Sequence, residues 1–384
     1  MIQEKVIETY RKIFGEQPQF LVRAPGRANL IGEHTDYHDG FVMPLAVDRA
    51  VWLAIAPRSD NHISVHTLDF GNEMISFGLD QLQDSSLPHW TKHVRGAWWL
   101  VAHQEGKQAP GVNIVIGSDI PMGSGMSSSA AIEVAMIEAA LALLGETSSY
   151  TQAQKALLAV EIEHQFMGMP CGILDQMASA AALEGTAMLL DCRSFDRTPA
   201  PIPDSVRVVV MNTMKSRELG DSGYATRRRE SESAAQLLGV KALRDATMDM
   251  IDAKRTELGD VRYRRAKHVV TENERTLQMK AILESHDLQG AGKLLNASHI
   301  SLRDDYEVSV YELDVMSEIA QSHPACYGAR MMGGGFGGCA VGLVNADAID
   351  DFLNALQPRY TEKTGKHPEF YVCVPAAGSG VTRL

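Results

Sequence analysis

The sequence contains few cysteines, no long uninterrupted apolar run and no excess of positive charge. Its five cysteines among 384 residues are widely spaced and form no Cys-x2-Cys pair, which argues against a disulfide framework and a structural zinc site. Charged residues such as Glu133 and Glu138 interrupt the apolar runs before they reach the roughly 20 residues that span a bilayer. The formal net charge of −12 argues against a nucleic-acid partner, which usually meets a basic protein face.

The first residues also lack the basic start and the small-residue cleavage site of a signal peptide, so we expect a cytoplasmic protein without membrane contact. The length of 384 residues and the hydrophobic content of 45% suffice for two domains, each with a full core. The acidic composition indicates a soluble surface and offers no evident interface. We therefore expect a monomer or a weak homo-oligomer.

Helical and strand patterns alternate irregularly, which predicts an α+β protein more than a regular doubly wound sheet. In the first half, strand patterns cover residues 20–22, 41–57, 63–67 and 112–118, and helical patterns cover residues 1–14, 93–103, 131–144 and 152–167. In the second half, a strand at 206–212 precedes helices at 225–238, 262–286, 288–298, 310–322 and 346–356 and a last strand at 370–374. Three prolines just before this half indicate a loop, so the predicted domains are residues 1–205 and 206–384.

The segment 121–131, Pro-Met-Gly-Ser-Gly-Met-Ser-Ser-Ser-Ala-Ala, lies between a predicted strand and a predicted helix. Gly123 and Gly125 let the backbone approach a ligand closely, the serines supply hydroxyls, and the first helical turn offers unpaired amides to an anion. This pattern is typical of a phosphate site, although serines before a helix are also ordinary N-caps. The loop contains no lysine and is not a Walker A motif, so backbone amides and hydroxyls would hold a nucleotide.

A second polar segment, residues 23–41, concentrates seven polar side chains within thirteen positions: Arg27, Asn29, Glu33, His34, Asp36, His38 and Asp39. Such charge-rich turns are often only solvated loops. Here Pro25 and three glycines fix the backbone, which indicates a positioned site whose donors and acceptors suit the hydroxyls of a sugar. His34 and His38 are alternatively a metal pair, but no helix is expected here and no third histidine or cysteine ligand is near.

A third segment, residues 163–179, carries Asp175 shortly after Pro170 and Gly172, which break the helical pattern. Asp175 is therefore predicted at the start of a new helix, where the helix dipole keeps a carboxylate ionised. A purely structural N-terminal charge is the alternative interpretation.

The fourth segment is Gly-Gly-Gly-Phe-Gly-Gly-Cys at residues 333–339. It matches the dinucleotide-binding pattern Gly-x-Gly-x-x-Gly in form, but a strand pattern follows it where a dinucleotide fold requires a helix. We therefore interpret it as a turn that lets the backbone approach a ligand or the other domain.

In this order, the segments resemble the galactokinases of the GHMP small-molecule kinase family. The similarity covers nearly the whole chain and is carried by residues 26–37 (Gly-Arg-Ala-Asn-Leu-Ile-Gly-Glu-His-Thr-Asp-Tyr), 121–131, 171–176, 190–194, 222–228, 302–307 and 330–339. The first of these is specific to galactokinases and close relatives, whereas 121–131 marks only the superfamily. Small departures occur at His38, Met126 and Met332, where relatives often carry Asn, Leu and Thr, and Met332 loses a hydroxyl near the catalytic cleft.

The resemblance implies an N-terminal domain like domain 2 of ribosomal protein S5, a ferredoxin-like C-terminal domain and an active site in the cleft between them. It implies ATP-dependent phosphorylation of the C1 hydroxyl of α-D-galactose, with Mg²⁺. Asp175 would face that hydroxyl as base or positioner, and Arg27 would stabilise charge on the transferring phosphoryl group. The implied sugar contacts are Glu33, His34, Asp36, Gly172 and Tyr224. The implied nucleotide contacts are Gly123, Ser124, Gly125, Met126, Ser127, Ser128, Ser129 and Trp90, and the implied magnesium ligands are Ser129 and Glu163.

Two alternatives stay open at this point. A relative that acts on N-acetylgalactosamine or arabinose would carry the same motifs, because the pocket volume near C2 depends on tertiary contacts. A non-catalytic sugar sensor is disfavoured, because such relatives disrupt the Ser-Ser-Ser-Ala stretch, which is intact here, and because Asp175 and Arg27 are both present.

Overall fold

The computed structural model describes residues 1–69, 73–104, 106–169, 171–216 and 220–384. Their helices are α1 (Ile2–Phe14), α2 (Lys92–Gln104), α3 (Ser128–Leu144), α4 (Gln152–Ile162), α5 (Leu174–Ala181), α6 (Gly220–Leu238), α7 (Met248–Ala253), α8 (Arg255–Glu284), α9 (Leu288–Asp304), α10 (Tyr311–Gln321) and α11 (Ile349–Thr364). Their strands are β1 (Phe20–Asn29), β2 (Phe41–Val42), β3 (Pro44–Pro57), β4 (His62–Thr67), β5 (Met74–Gly78), β6 (Val112–Ser118), β7 (Thr186–Asp191), β8 (Arg197–Pro201), β9 (Val206–Asn212), β10 (Cys326–Met332), β11 (Cys339–Asn345), β12 (Glu369–Cys373), β13 (Pro375–Ala376) and β14 (Gly380–Arg383).

The first half of the chain is built on a sheet with the strand order β14-β1-β3-β6-β4-β5, in which β13 also pairs with β3. Within it, β4 and β6 run parallel and the other neighbours run antiparallel. Helix α3 packs across β1 and β3 and is buried from Ala130 to Ala142. Because it is buried on all sides, its sequence has no polar face. Because α3 begins at Ser128, the first turn of this buried helix directly follows the serine-rich loop.

The second half contains an antiparallel sheet with the order β10-β11-β9-β12. Helices α10 and α11 share a buried apolar cluster with this sheet, which includes Met316, Phe352 and Val209. Helix α9 packs closely on β10, and Gly292 permits this approach because a Cβ atom there would collide with the Tyr327 carbonyl. Helices α6, α7 and α8 form a separate layer with its own apolar cluster. The fold is thus a mixed α+β arrangement.

The final strands return to the first sheet. β14 pairs with β1 and β13 pairs with β3, although the sequence analysis assigned residues 206–384 to the second domain. The chain therefore crosses between the two sheets a second time at its C-terminal end. None of the helices among the described residues is long and apolar enough to cross a membrane.

Several predicted element bounds were wrong. Helix α11 was expected to stop before Pro358, but it continues to Thr364, because the buried residues Phe352, Leu356 and Tyr360 anchor one face on both sides of the proline. The segment with prolines before residue 206 contains β8, which pairs only with β7, and an edge strand tolerates the missing proline amides. The predicted helix at 152–167, in contrast, has the expected bounds, although its last turn, Glu163–Met167, is π-helical.

Candidate active site

A cavity of about 630 Å³ lies between segments from both halves of the chain. One wall comes from β1 and the loop that follows it, and the others come from the start of α5, from α6 and from the glycine loop after β10. The cavity brings together all seven residues predicted as catalytic or sugar-contacting: Arg27, Glu33, His34, Asp36, Gly172, Asp175 and Tyr224. These residues are up to 197 positions apart in sequence, so only the tertiary fold unites them.

Arg27 and Asp175 form a bidentate ion pair at the wall of this cavity. Arg27 Nε donates to Asp175 Oδ1 at 2.7 Å, and Nη2 donates to Oδ2 at 2.9 Å. The sequence analysis placed Arg27 in a loop, but β1 extends through Asn29, so the arginine projects from a rigid strand. Asp175 is the second residue of α5, as predicted. Two rigid elements therefore fix the relative position of the cation and the carboxylate.

The serine-rich loop is attached directly to this pair. Ser127 Oγ donates to Asp175 Oδ2 at 2.5 Å, and Arg27 Nη1 donates to the Gly125 carbonyl at 2.5 Å. Ser127 precedes α3 and has a left-handed backbone with φ of 53°. The candidate phosphate loop and the candidate sugar cavity thus meet at a single carboxylate.

Glu33 is held by residues of the second half of the chain. Its Oε1 accepts from Arg330 Nη2 at 3.2 Å and from the Gly333 amide at 2.7 Å. The fully buried Arg330 also donates to the carbonyls of Asn29 and Leu30. Arg330 therefore joins β10 to the end of β1 and orients the carboxylate that lines the cavity.

We expect the substitution Arg330→Met to lower the free energy of unfolding by about 3–5 kcal/mol, because it leaves the Glu33 carboxylate and two strand-end carbonyls without their buried donor. Urea denaturation followed by circular dichroism would measure the change. Arg303→Met is the control, since that arginine is on the half-exposed side of α9 and pairs only with exposed carboxylates. A decrease below about 1 kcal/mol for Arg330→Met would contradict this account.

His34 presents one ring nitrogen to the cavity. Its Nδ1 lies 2.9 Å from the Tyr37 hydroxyl, whereas Nε2 is buried and has no hydrogen-bond partner among the described residues. Burial, more than the neighbouring charges, lowers the pKa of His34 to about 3, although the Gly334 backbone acts in the opposite direction, so the ring is neutral at physiological pH. A neutral ring with one free nitrogen can hydrogen-bond a hydroxyl of a ligand.

Asp36 lies against Gly172 on the cavity wall. Burial, followed by the nearby carboxylates of Asp175 and Glu33, raises the pKa of Asp36 to about 6. Gly172 has no side chain at the point where it passes the carboxylate, and a Cβ atom there would overlap Asp36 Oδ2. Gly172 is therefore required so that Asp36 can face the cavity.

Tyr224 closes the side of the cavity that faces α6. Its ring lies 5.5 Å from the rings of both His34 and Tyr37, measured between centroids. Phe336 of the glycine loop packs against Gly223, where a Cβ atom would collide with the phenyl ring. The sequence prediction of a turn at the glycine cluster agrees with this loop, which contacts both α6 and the cavity.

A second cavity of about 450 Å³ is lined in part by Pro121, Met122 and Ser128 of the serine-rich segment. The rest of its lining consists of four apolar residues (Leu68, Ile116, Ile120 and Ile132) and three polar ones (Asp69, Ser118 and Asp119). Gly123, Ser124, Gly125 and Met126 belong to the same loop, in which Ser124 Oγ donates to the Pro121 carbonyl. Trp90 lies in the turn before α2 and packs on the main apolar cluster, and it lines neither of these two cavities.

The two predicted magnesium ligands have different surroundings. Ser129 is exposed in the first turn of α3. Glu163 lies in the π-helical turn beside the fully buried Glu133, and the pKa of Glu163 is raised to about 7, mainly by burial and then by Glu133. Burial likewise raises the pKa of Glu133 to about 8. No cluster of three or more histidine, cysteine or acidic side chains suited to a metal occurs in the part of the chain that is described.

Comparisons with known proteins match these features. The galactokinase galactose-binding signature matches residues 8–57, and the N-terminal and C-terminal domains of GHMP kinases match residues 92–182 and 279–362. A galactokinase of Roseiflexus sp. (strain RS-1) is 41% identical over 383 residues, covering 97% of this chain and 95% of that protein. The chain belongs to the galactokinases of the GHMP kinase family. A galactokinase of Chloroflexus aurantiacus (strain ATCC 29366 / DSM 635 / J-10-fl) is 42% identical over 380 residues, with coverage of 96% and 95%.

Solved structures show the same relationship. The crystal structure of Lactococcus lactis galactokinase complexed with galactose has a TM-score of 0.93 and 32% identity, and it covers 100% of both chains. The mevalonate kinase of Methanococcus jannaschii has a TM-score of 0.65 at 17% identity, with 93% and 98% coverage, and shares the fold. The predicted family and the two-domain GHMP fold are confirmed.

Several residues of the galactokinase cavity were not predicted from the sequence. Cys171 and Arg228 line it, while Tyr37 and Tyr306 lie behind His34. Tyr37 stands within the polar segment 23–41, so its position was a usable signal. Tyr306 follows the end of α9, and its segment 302–307 belongs to the galactokinase resemblance, but that resemblance assigned Tyr306 no role at this site.

Proposed function

We propose that the protein transfers the γ-phosphoryl group of ATP to the C1 hydroxyl of α-D-galactose and forms galactose 1-phosphate. The observation that carries this proposal is the shared carboxylate of Asp175, which lines the cavity and accepts hydrogen bonds from Arg27 and from Ser127 of the phosphate loop. A hydroxyl placed at this carboxylate lies next to the loop where the nucleotide phosphates would bind.

Within this mechanism, Asp175 accepts or orients the proton of the C1 hydroxyl. Arg27 keeps that carboxylate in place through two hydrogen bonds and supplies positive charge where the phosphoryl group passes. Glu33, His34, Asp36 and Tyr224 supply the polar groups that orient the other hydroxyls, and Gly172 leaves room for Asp36. The reaction therefore depends mainly on positioning and charge, as expected for a loose phosphoryl-transfer transition state.

The nucleotide is assigned to the loop 121–131 and the second cavity beside it. The apolar lining of that cavity by Leu68, Ile116 and Ile132 suits the face of a base, and the first turn of α3 suits the phosphates. In this proposal Ser128 lies between the two parts of the nucleotide site. Because Trp90 lines neither cavity, its proposed position near the adenine requires that the base extend beyond the second cavity.

Mg²⁺ fits the chemistry of the residues proposed to hold it, Ser129 and Glu163. Their oxygen donors are the type that Mg²⁺ prefers, and a cation beside Glu163 would favour its ionised form, which burial and the neighbouring Glu133 disfavour. Mg²⁺ commonly takes one or two protein oxygens and completes its shell with phosphates and water. When bound, it would neutralise charge on the transferring phosphates.

ADP release from ATP and magnesium tests this proposal across galactose, glucose, N-acetylgalactosamine, arabinose and mevalonate, with the product identified by ³¹P and ¹³C NMR. We expect turnover with galactose and a phosphate on C1. Turnover with N-acetylgalactosamine or arabinose alone would retain the mechanism and change the substrate. Absence of ADP release with every compound would contradict the proposal and favour a sugar-binding role.

A further inference from the structure

Behind the sugar cavity, four side chains continue the contacts of His34 into the protein interior. His34 Nδ1 lies 2.9 Å from the Tyr37 hydroxyl, which lies 2.8 Å from the Tyr306 hydroxyl. Tyr306 donates to Ser231 Oγ at 3.1 Å, and Ser231 Oγ also lies 2.7 Å from His38 Nε2. This chain of hydrogen bonds, here termed the His34 relay, joins the cavity to α6 and the end of α9.

The direction of the relay is set at Ser231. The hydroxyl of Ser231 has one proton, and it faces the carbonyls of Arg227 and Arg228 in the preceding turn of α6 at 2.9 and 3.0 Å. The two carbonyls can only accept, and the neutral His38 ring can also accept at Nε2, so the serine proton goes to one of these groups and the serine oxygen accepts from Tyr306. The geometry agrees, because the Tyr306 hydroxyl is oriented as the donor to Ser231.

Each remaining hydroxyl has only one proton to give, so this direction passes along the relay. Tyr306 uses its proton on Ser231 and must accept from Tyr37. Tyr37 uses its proton on Tyr306 and must accept from His34 Nδ1. Because the His34 ring is neutral, its single proton is then on Nδ1.

We propose that Tyr37, Tyr306 and Ser231 are positioning residues that hold His34 in the Nδ1-protonated tautomer, so that Nε2 faces the cavity as a hydrogen-bond acceptor for a sugar hydroxyl. The unpaired, buried state of Nε2 agrees with this assignment, since a ligand must supply its partner. His34 would then select a ligand group that donates a hydrogen bond. The part of this inference that concerns sugar rests on the proposed function.

The tautomer is tested in the sugar-free protein by ¹⁵N NMR of labelled histidines, with the His34 signals assigned by their loss in His34→Gln. We expect a protonated Nδ1 and an unprotonated Nε2, whose ¹⁵N shifts are well separated. In Tyr306→Phe, the Tyr37 hydroxyl loses its acceptor, and among the described residues His34 Nδ1 is the other group within hydrogen-bond distance, so the ring proton should move to Nε2. A protonated Nε2 in the unmodified protein would overturn the proposal.

Tyr360→Phe is the matched control for the loss of a buried tyrosine hydroxyl. Tyr360 is also fully buried and donates to a single carbonyl, that of Thr213, but it belongs to the apolar cluster of α10 and α11. We expect the His34 signals to remain unchanged in this variant. A tautomer change in Tyr360→Phe equal to that in Tyr306→Phe would show a general packing effect and overturn the relay.

The recognition step is tested with galactose analogues in which one hydroxyl at C2, C3, C4 or C6 is replaced by hydrogen or by fluorine, which accepts but does not donate. At the hydroxyl that faces His34, both replacements should lower kcat/KM by about tenfold. In Tyr306→Phe the fluoro analogue at that position should exceed the deoxy analogue, because Nε2 then donates. If fluorine outperforms hydrogen at every position in the unmodified protein, His34 does not act as an acceptor. The NMR result requires no sugar and separates this failure from failure of the proposed function.

Discussion

Replacement of Asp175 by asparagine is expected to lower kcat by at least about 10³-fold while the fold stays intact. The two side chains have the same shape, so the substitution removes the charge and the proton-accepting oxygen without opening a cavity. The amide group would also bring hydrogen atoms toward Arg27 Nη2 or Ser127 Oγ, both of which donate to Oδ2 in the native protein. The variant thus loses both the base and part of the geometry that positions the phosphate loop.

The measurement is single-turnover phosphoryl transfer from ATP to galactose, with the thermal midpoint recorded for each protein. Asp249→Asn is the matched control, because Asp249 is also the second residue of a short helix, α7, but it is exposed and lies outside the cavity. We expect that control to retain normal turnover. Turnover of Asp175→Asn within about tenfold of the unmodified protein would remove Asp175 from the chemical step.

The sequence predicted the cavity residues well where they share a signature. Arg27, Glu33, His34 and Asp36 fall within one short segment whose glycines and proline fix the backbone, and all four line the cavity. The segment could not reveal which residues from elsewhere in the chain hold it in place. Arg330 is needed to orient Glu33, but its role depends on β10 reaching the end of β1, and no local pattern encodes that contact.

Long amphipathic helices and buried strands were predictable because their apolar spacing is regular. The strand β5 was missed because its first three residues are exposed or half-buried, so its apolar pattern is weak. The helical pattern through Glu163 gave no sign of the π-helical turn, Glu163–Met167. Such local irregularities depend on the surrounding packing, which in this case includes the buried Glu133.

Which group donates and which accepts in each hydrogen bond is even harder to predict from the sequence. The His34 relay unites side chains from the polar segment, α6 and the end of α9. Its donor-to-acceptor direction follows from the contacts of Ser231, which include two backbone carbonyls, and a backbone carbonyl is present whatever the residue type. A pattern search can identify His34 as a sugar contact, but it cannot determine which ring nitrogen carries the proton. That property belongs to the assembled structure.

Gly172→Ala is expected to raise the KM for galactose by about 100-fold, because a displacement of a positioning group by about 1 Å can cost that much. The added Cβ would overlap the Asp36 carboxylate and lie 2.7 Å from its Cγ and 3.2 Å from its Cβ. Asp36 is half-buried and lines the cavity, so we expect it to move toward the space that the sugar would fill. Gly172 does not have a positive φ, and alanine therefore introduces a steric change without backbone strain.

Steady-state kinetics with galactose and ATP varied separately would measure this effect, since Asp36 belongs to the sugar side of the cavity. The KM for ATP should change by less than about threefold, because the three atoms nearest to the new methyl group all belong to Asp36. Gly380→Ala is the control, as a Cβ atom there meets no atom within 4 Å. A KM for galactose within twofold of that of the unmodified protein would show that Asp36 can shift without disturbing the sugar. An equal rise in both KM values would instead indicate that α5 and Asp175 move with the methyl group, because Asp175 accepts a hydrogen bond from Ser127 of the phosphate loop.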